Sequence, residues 1–463
     1  MPKAKTRNAF PNFVSREALL ERGKAMRKRA PRASHASWRP SPQRIGALRF
    51  VKDSNRGRLK ELIPVRHGRM LLSPFAFYRG SAGLMACDLS RTPFSGAYVQ
   101  ACGDCHLANF GAFATPERRL IFDINDLDET LPAPWEWDVK RLAASFMAAG
   151  RNNGFRESQS RDAVLACVRS YRERMADYAK QTALDIWYER IDVKDLIPTV
   201  KDAAAAKRLR QRMEKARQHD PLEDLFPKLA EVKDGTPVIR ESPPLIYHFK
   251  EVGWEIHLER VRKAFAGYRD TLSDDRRNLL DRYRLVDIAI KVVGVGSVGT
   301  ACFVLLMMAD PSDVLFLQAK QANASVLERY AGKSRYLNHG QRVVQGQRLM
   351  QSASDIFLGW TRGVSGRHFY FRQLRDMKIK PLVELFTPSV MEQYAEICGW
   401  ALAHCHARSG QPALISGYLG NSDKFDRAIA DFAKLYADQN EKDHQAFLQA
   451  AKRGEFEVHL ETH

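Results

Sequence analysis

The sequence predicts an α+β fold of two lobes with a helical insertion. Three observations predict it. An acidic segment, CGDCHLANFG…LIFDINDLDE, runs from Cys102 to Glu129 around the short apolar run Leu120-Ile121-Phe122. A second, β-prone segment from Ile288 to Lys320 carries the glycine-rich stretch Gly294 to Gly299 between apolar runs. Much of the rest places apolar residues at helical spacing.

The chain has 463 residues, enough for two or three domains' worth of core. Hydrophobic content of 44% and charged content of 27% fit a globular chain, not a disordered one. No run approaches the roughly eighteen apolar residues of a membrane span, so no membrane partner is expected. The opening MPKAKTRNAF has charges but no apolar core behind it, which argues against a secretory signal. Seven cysteines, an odd number, fit a reducing cytosol better than a disulfide framework, and a cytoplasmic location is expected. The formal charge of +19 favours anionic partners such as nucleotide phosphates. Without a zinc finger or an aromatic RNA-stacking signature, nucleic acid is not expected.

Residues 1–45 read as a basic arm in which Arg22, Lys24, Arg27, Lys28, Arg29 and Arg32 crowd together; such a run is expected to be solvated. Residues 46–155 hold the acidic motif. Tyr98-Val99-Gln100 reads as a strand entering it, and Trp135 opens a helix with Val139, Leu142, Ala143 and Phe146 on one face. Asn152, Asn153 and Gly154 close that helix. Residues 156–282 read as a helical insertion with a proline-rich, polar stretch at 220–245. Residues 283–380 contain a strand at Ile288–Val293, the glycines, a strand from Val314 to Lys320, a helix from Asn323 to Tyr330, and a helix opening at Val343. Arg367 to Leu374 alternates like a strand and suits a hinge beside a nucleotide base. Residues 381–463 are C-terminal helices. The strongest runs from Pro388 to Ser409, where Tyr394, Ile397, Cys398, Ala401, Leu402 and Cys405 recur at helical spacing.

The chemistry starts from three residues. Asp104 is followed five positions on by Asn109, and Asp123 closes the apolar run after it. Phosphoryl transfer needs one carboxylate to accept the proton of the attacking hydroxyl, and an Asn and a second carboxylate to hold magnesium. Asp104 is the candidate base, and Asn109 and Asp123 are the candidate Mg²⁺ ligands. Asp126, Asp128 and Glu129 read as spare ligands or a solvated turn. Cys102, Cys105 and His106 mimic a haem-attachment pattern, but no second Cys pair completes a zinc site. Two mechanical readings of Gly294, Gly296, Ser297 and Gly299 stay open. A dinucleotide-binding unit would lead straight into a helix. A hairpin turn covering phosphates would lead into a second strand. The β-prone residues after Gly299 favour the hairpin. Lys320 then becomes the phosphate clamp and Glu328 its ion-pair partner. His404 and His406 straddle the face of the Pro388–Ser409 helix, where a structural role is the commoner one.

SPFAFYRG, GDCHLANFG, FDINDLDE, PWEWDVKRLAAS, VGVGSVGTACFVLL, RVVQGQRLMQSASDIFLGW, FYFRQLRDMK and CGWALAHCHARSG resemble an uncharacterised bacterial family, domain of unknown function 2252, from about residue 45 to 450. The motifs are also similar to the aminoglycoside-phosphotransferase and protein-kinase-like superfamily, with the order changed. There the glycine-rich loop and its Lys come first, and the catalytic loop and metal Asp come last. The helix ending ALAHCHARSG resembles the one that leads into the catalytic loop, yet here it lies far downstream of it. The resemblance implies a two-lobe kinase-like fold in circularly permuted order and an ATP- and Mg²⁺-dependent phosphotransferase acting on an unknown hydroxyl acceptor. A nucleotide-binding pseudokinase or nucleotidyl transferase on the same scaffold, and a Rossmann-type dinucleotide-binding protein, are the alternatives.

Overall fold

The computed structural model describes residues 14–218, 221–248, 254–292, 294–374 and 377–461. The first thirteen residues of the expected arm, and Val293 at the end of an expected strand, lie outside the described residues. The fold mixes helices with small antiparallel sheets. β1 (Tyr98–Ala101) pairs with β4 (Leu131–Pro134), and between them β2 (Phe110–Ala114) and β3 (Leu120–Ile124) form a hairpin. β5 (Ala230–Lys233) and β6 (Thr236–Ile239) make a second small hairpin within the predicted insertion.

The main sheet contains β7 (Ile246–Tyr247), β8 (Arg284–Lys291), β9 (Cys302–Asp310), β10 (Asp313–Ala322), β11 (Gly359–Arg362) and β12 (His368–Gln373). Their spatial order is β11-β12-β10-β9-β8-β7, all pairs antiparallel. β10 is buried on both faces, which is why it reads as a nearly unbroken apolar run. Side chains alternate across a strand. Leu315, Leu317 and Ala319 pack with Tyr268 and Phe371 on one face. Val314 and Phe316 pack with Leu225 and Leu374 on the other. The same period carries Gln318 and Lys320 onto that second face, beyond its apolar part. β13 (Lys378–Ile379) leaves the sheet and pairs with β2, tying the two β regions together.

The helical part is built around Trp135–Asn152, buried continuously from Trp135 to Gly150. Helices Glu157–Tyr178, Pro388–Ser409 and Lys424–Lys452 pack against it. A helix covered on all sides is buried whole, polar residues included. The apolar face expected from the sequence is therefore only part of its buried surface. Three other expectations change. Asn323–Tyr330 is mostly loop, with a single turn at Glu328–Ala331. The helix expected from Val343 begins at His339 and ends at Met350. The basic run after residue 15 forms a helix, Arg16–Met26, docked on the helix Pro412–Leu419; Arg22, Lys24, Lys28 and Arg29 are exposed as expected, whereas Arg27 and Arg32 are half-buried. Arg27 donates to the carbonyls of Tyr418 (2.8 Å) and Gly417 (2.6 Å), and Arg32 to that of Leu419 (2.5 Å). Cationic donors suit the unpaired carbonyls and negative dipole end of a helix C-terminus.

Gly399 sets the approach of Pro388–Ser409 to Glu157–Tyr178. A Cβ there would lie 2.1 Å from the carbonyl oxygen of Cys167, a backbone atom that cannot swing aside. Gly399→Ala gains helix propensity but overpacks this contact, and a net loss of roughly 1–2 kcal/mol is expected. Urea denaturation checks it, and an equal or higher midpoint for the variant would refute so close an approach.

Candidate functional site

A cleft of about 1020 Å³ lies between the main sheet and the acidic segment. Asp104, His106, Asn109, Asp126, Asp128 and Glu129 line it from one side, and Lys291, Gln318, Lys320 and Arg372 from the sheet. Twelve of its lining residues are Lys or Arg and six are Asp or Glu, so its field favours anions.

One stripe of the helix Trp135–Asn152 positions the loop from Cys102 to Asn109. The Asp138 carboxylate accepts from the backbone N–H groups of Cys102 (2.5 Å) and Gly103 (3.0 Å). Arg141 donates through Nε (2.9 Å) and Nη2 (2.5 Å) to Oδ1 of Asp104. Ser145 Oγ accepts from Leu107 N–H at 3.0 Å. Positions 138, 141 and 145 share a helix face, because three- and four-residue steps return to the same side. His406 Nε2 lies 3.2 Å from Asp138 Oδ2, and its Nδ1 lies 2.9 Å from the Tyr171 hydroxyl. A carboxylate only accepts, so Nε2 carries the proton and Nδ1 accepts from Tyr171. His404 Nε2 contacts the Ile186 carbonyl at 2.9 Å. Both helix histidines are thus occupied within the core.

Arg141 engages only Oδ1 of Asp104, and the second oxygen lies 3.9 Å from His106 Nε2. Burial pushes the His106 imidazole down to about 4 against the pull of Asp104, so it is neutral at pH 7. Asn109 Nδ2 donates to the Asp104 carbonyl at 2.8 Å, which leaves the amide oxygen as its acceptor end. Asn125 N–H donates to the Asn109 carbonyl at 2.7 Å, so Asn109 and Asp126 sit at the same end of the β2–β3 hairpin. Mg²⁺ takes one or two protein oxygens plus water and phosphates. Asn109 and Asp126 fit that need, and among the described residues no group of three His, Cys, Asp or Glu forms an all-protein cage.

Lys320 reaches from β10 to the acidic segment. Its Nζ lies 2.9 Å from Asp128 and 3.6 Å from Asp126. The Tyr370 hydroxyl donates to the other Asp128 oxygen at 2.5 Å. Burial works to raise the Asp126 carboxyl, but Lys320 and Arg372 outweigh it and hold it below the usual range. Burial and the neighbouring Asp126 push Asp128 the other way. Arg342, on the helix His339–Met350, donates to the carbonyls of Thr130 (2.6 Å), Asp128 (2.8 Å) and Asn323 (2.9 Å). It locks the acidic segment against the end of the sheet.

Gly294 to Gly299 form the turn between β8 and β9, and a strand, not a helix, follows. Gly294 and Gly299 adopt φ of 73° and 87°, a region that favours glycine. Leu59 N–H donates to the Gly299 carbonyl at 2.7 Å, Arg69 to that of Gly294 at 2.5 Å, and Arg58 to that of Val298.

Two expected site residues stand elsewhere. Asp123 is 2% exposed and does not line the cleft. Its Oδ1 accepts from Ile124 N–H (2.8 Å) and the Cys405 thiol (3.3 Å), and its Oδ2 from the Ser352 N–H (3.0 Å) and hydroxyl (3.1 Å). It pins β3 to the helix Pro388–Ser409 and to the bend after Met350, and the cleft-facing carboxylates of this segment come three and five residues later. Their alternation around buried Leu127 was the available signal. Glu328 accepts from Ser325 N–H at 3.2 Å and lies 3.8 Å from His339, while Lys320 pairs with the acidic segment instead. Arg141 and Arg372 were missed. Arg372 stands two residues from Tyr370 on one face of β12, a period-2 signal. Arg141 gave none, since buried and surface Arg look alike in sequence.

A family model matches residues 58–450, which include every cleft residue named above. The chain belongs to the family described as an uncharacterized protein conserved in bacteria, DUF2252. No curated protein and no solved structure matches the chain.

In this DUF2252 protein Glu129 makes a pH prediction. Its carboxylate accepts from Val326 N–H at 2.7 Å, and burial raises it from 4.5 to about 7, with Arg342 opposing. A folded-state value above the unfolded one means that the folded protein binds the extra proton. Stability therefore falls as pH rises from about 4.5 to 7, by roughly 3 kcal/mol from this group. Glu129→Gln should flatten that part of the profile in urea denaturation between pH 4.5 and 8. Equal slopes in wild type and variant would refute the assignment.

Proposed function

We propose that this protein is an ATP- and Mg²⁺-dependent phosphotransferase of the protein-kinase-like kind, with its parts in circularly permuted order. One observation carries the reading. A Lys on the second strand after a glycine-rich turn reaches across a basic cleft to a carboxylate pair, and Asp104 and Asn109 line the same cleft. A kinase site has these parts: a glycine-rich cover, a strand Lys, a carboxylate and an Asn for magnesium, and a carboxylate that accepts the hydroxyl proton. The order supports permutation. Ser409, at the end of Pro388–Ser409, accepts from Gln100 N–H in β1 at 3.2 Å, although 309 positions separate them in sequence. In space, the helix leads to the strand that enters the catalytic loop.

Asp104 accepts the acceptor's proton at the oxygen that Arg141 leaves open. Arg141 keeps the other oxygen fixed. Asn109 and Asp126 would hold Mg²⁺, which supplies charge neutralisation at the phosphates. Lys320 and Arg372 orient those phosphates against the sheet, and the glycine turn covers them. Rate enhancement comes from positioning and fixed charge.

A thermal-shift titration of the purified protein tests this, since a ligand that binds only the folded state raises the midpoint. ATP with MgCl₂ is expected to raise it. Asp126→Ala should lose the Mg²⁺-dependent increment, while Asp104→Asn keeps it and loses turnover by roughly 10²–10⁴-fold. A response to NAD(H) instead of ATP, or a full Mg²⁺ increment in folded Asp126→Ala, would sink the reading. A product labelled with AMP would move it to nucleotidyl transfer.

A further inference from the structure

We propose that the cleft contains a second anion subsite, at Arg79, which takes the phosphate of a phosphorylated alcohol whose hydroxyl reaches Asp104. The identity of this ligand as the acceptor rests on the phosphotransferase reading; the anion site itself does not.

Arg79 lies in the last turn of the helix Pro74–Gly80 and lines the cleft. A Cβ on Gly296, in the glycine turn, would lie 3.2 Å from the Arg79 carbonyl oxygen. Asp104 is the strongest charge acting on its guanidinium. Arg79 therefore stands between the glycine turn and the candidate base. Its Nε is buried without a hydrogen-bond partner, and its guanidinium lies over the Phe75 ring at 5.9 Å. A buried polar group without a partner is costly, and a buried cation more so. The adjacent arginines donate elsewhere through other atoms, although Arg66 Nε is likewise buried without a partner. Arg66 donates to Asn55 (2.9 Å) and the Gly80 carbonyl (3.4 Å), and Arg58 to the carbonyls of Ser54 (2.7 Å) and Val298.

None of these bonds is to a carboxylate, and three guanidinium groups line one wall, with Glu129 acting on Arg58 and Glu384 on Arg79 through space only, while Arg141 already pairs with Asp104. A dianion answers that excess better than a carboxylate, and the planar guanidinium fork matches phosphate oxygens in pairs. The nucleotide's phosphates are served from the opposite wall, by Lys320 and Arg372.

The test uses inorganic phosphate as probe and the full chain saturated with Mg²⁺ and AMP-PNP, in isothermal titration. Phosphate should bind the saturated protein. Arg79→Gln should weaken that binding at least about tenfold, with AMP-PNP affinity changed less than about twofold, and Arg79→Lys should fall between. Lys320→Met should do the reverse. The ligand-free melting midpoint checks that each variant folds. Phosphate binding that survives Arg79→Gln would overturn the subsite. So would binding with MgADP but not with Mg·AMP-PNP, which would give Arg79 to the transferred phosphoryl group. If AMP-PNP itself fails to bind, the phosphotransferase reading falls. Phosphate binding to the nucleotide-free protein then decides the subsite: dependence on Arg79 keeps it, and independence removes it.

Discussion

The Asp138 carboxylate is the constraint on which the rest of the site depends. It is 1% exposed, and an ionised group there is tolerable only with its lone pairs satisfied. Two loop amides and His406 supply the partners. The requirement works in both directions. The core must present an acceptor at the start of the Trp135 helix, and the loop must bring Cys102 and Gly103 to it with both N–H groups aligned. Once that register is set, Arg141 one turn on meets Asp104, and Ser145 a turn beyond meets Leu107. The position of Asp104 is inherited from a rigid buried helix, the kind of support that keeps a reacting group in place.

A second link joins this helical frame to the sheet. Lys320 belongs to the sheet and its partners belong to the loop segment, so its ammonium is shared between two carboxylates across the cleft. Its side chain is 6% exposed, while those of Asp126 and Asp128 are 37% and 29% exposed. The cation is sheltered and the anions face the cleft, which leaves the carboxylates accessible to a metal while Lys320 keeps its charge partnered. Arg342 adds a connection through backbone carbonyls rather than side-chain carboxylates. The acidic segment can therefore exchange side-chain partners without detaching from the sheet.

The readable parts of the sequence were those where local pattern and tertiary role agree. The apolar run from Val314 located the strand that carries Lys320, and β-prone residues after Gly299 marked a turn between strands. The spacing of Asp104 and Asn109 survives as a backbone-to-side-chain hydrogen bond. Where the sequence misled, a long-range partner decided. Asp123 ends an apolar strand, as a metal ligand would, but Ser352 and Cys405 from distant segments surround it. Glu328 was paired with Lys320 through an expected helix, and the chain makes only one turn there. Within the largely exposed basic run, Arg27 and Arg32 are held by carbonyls at the end of a helix nearly 400 residues later, which a charge pattern does not reveal. The polar stripe of the Trp135 helix was least visible of all, since Asp138, Arg141 and Ser145 have the composition of an ordinary exposed face.

The distribution of charge across the cleft then limits what it can hold. Acids gather on the loop side, near the ends of β2 and β3, and cations gather on the sheet and on the wall beyond the glycine turn. A ligand carrying only negative charge would be repelled from one side, and a cation alone from the other. A polyanion bound together with a divalent cation satisfies both. The glycine turn sits where these regions meet, and three hydrogen bonds from Leu59, Arg58 and Arg69 hold its backbone to the segment that carries Arg79. The glycine turn and the arginine wall beside it are in this way parts of one structure.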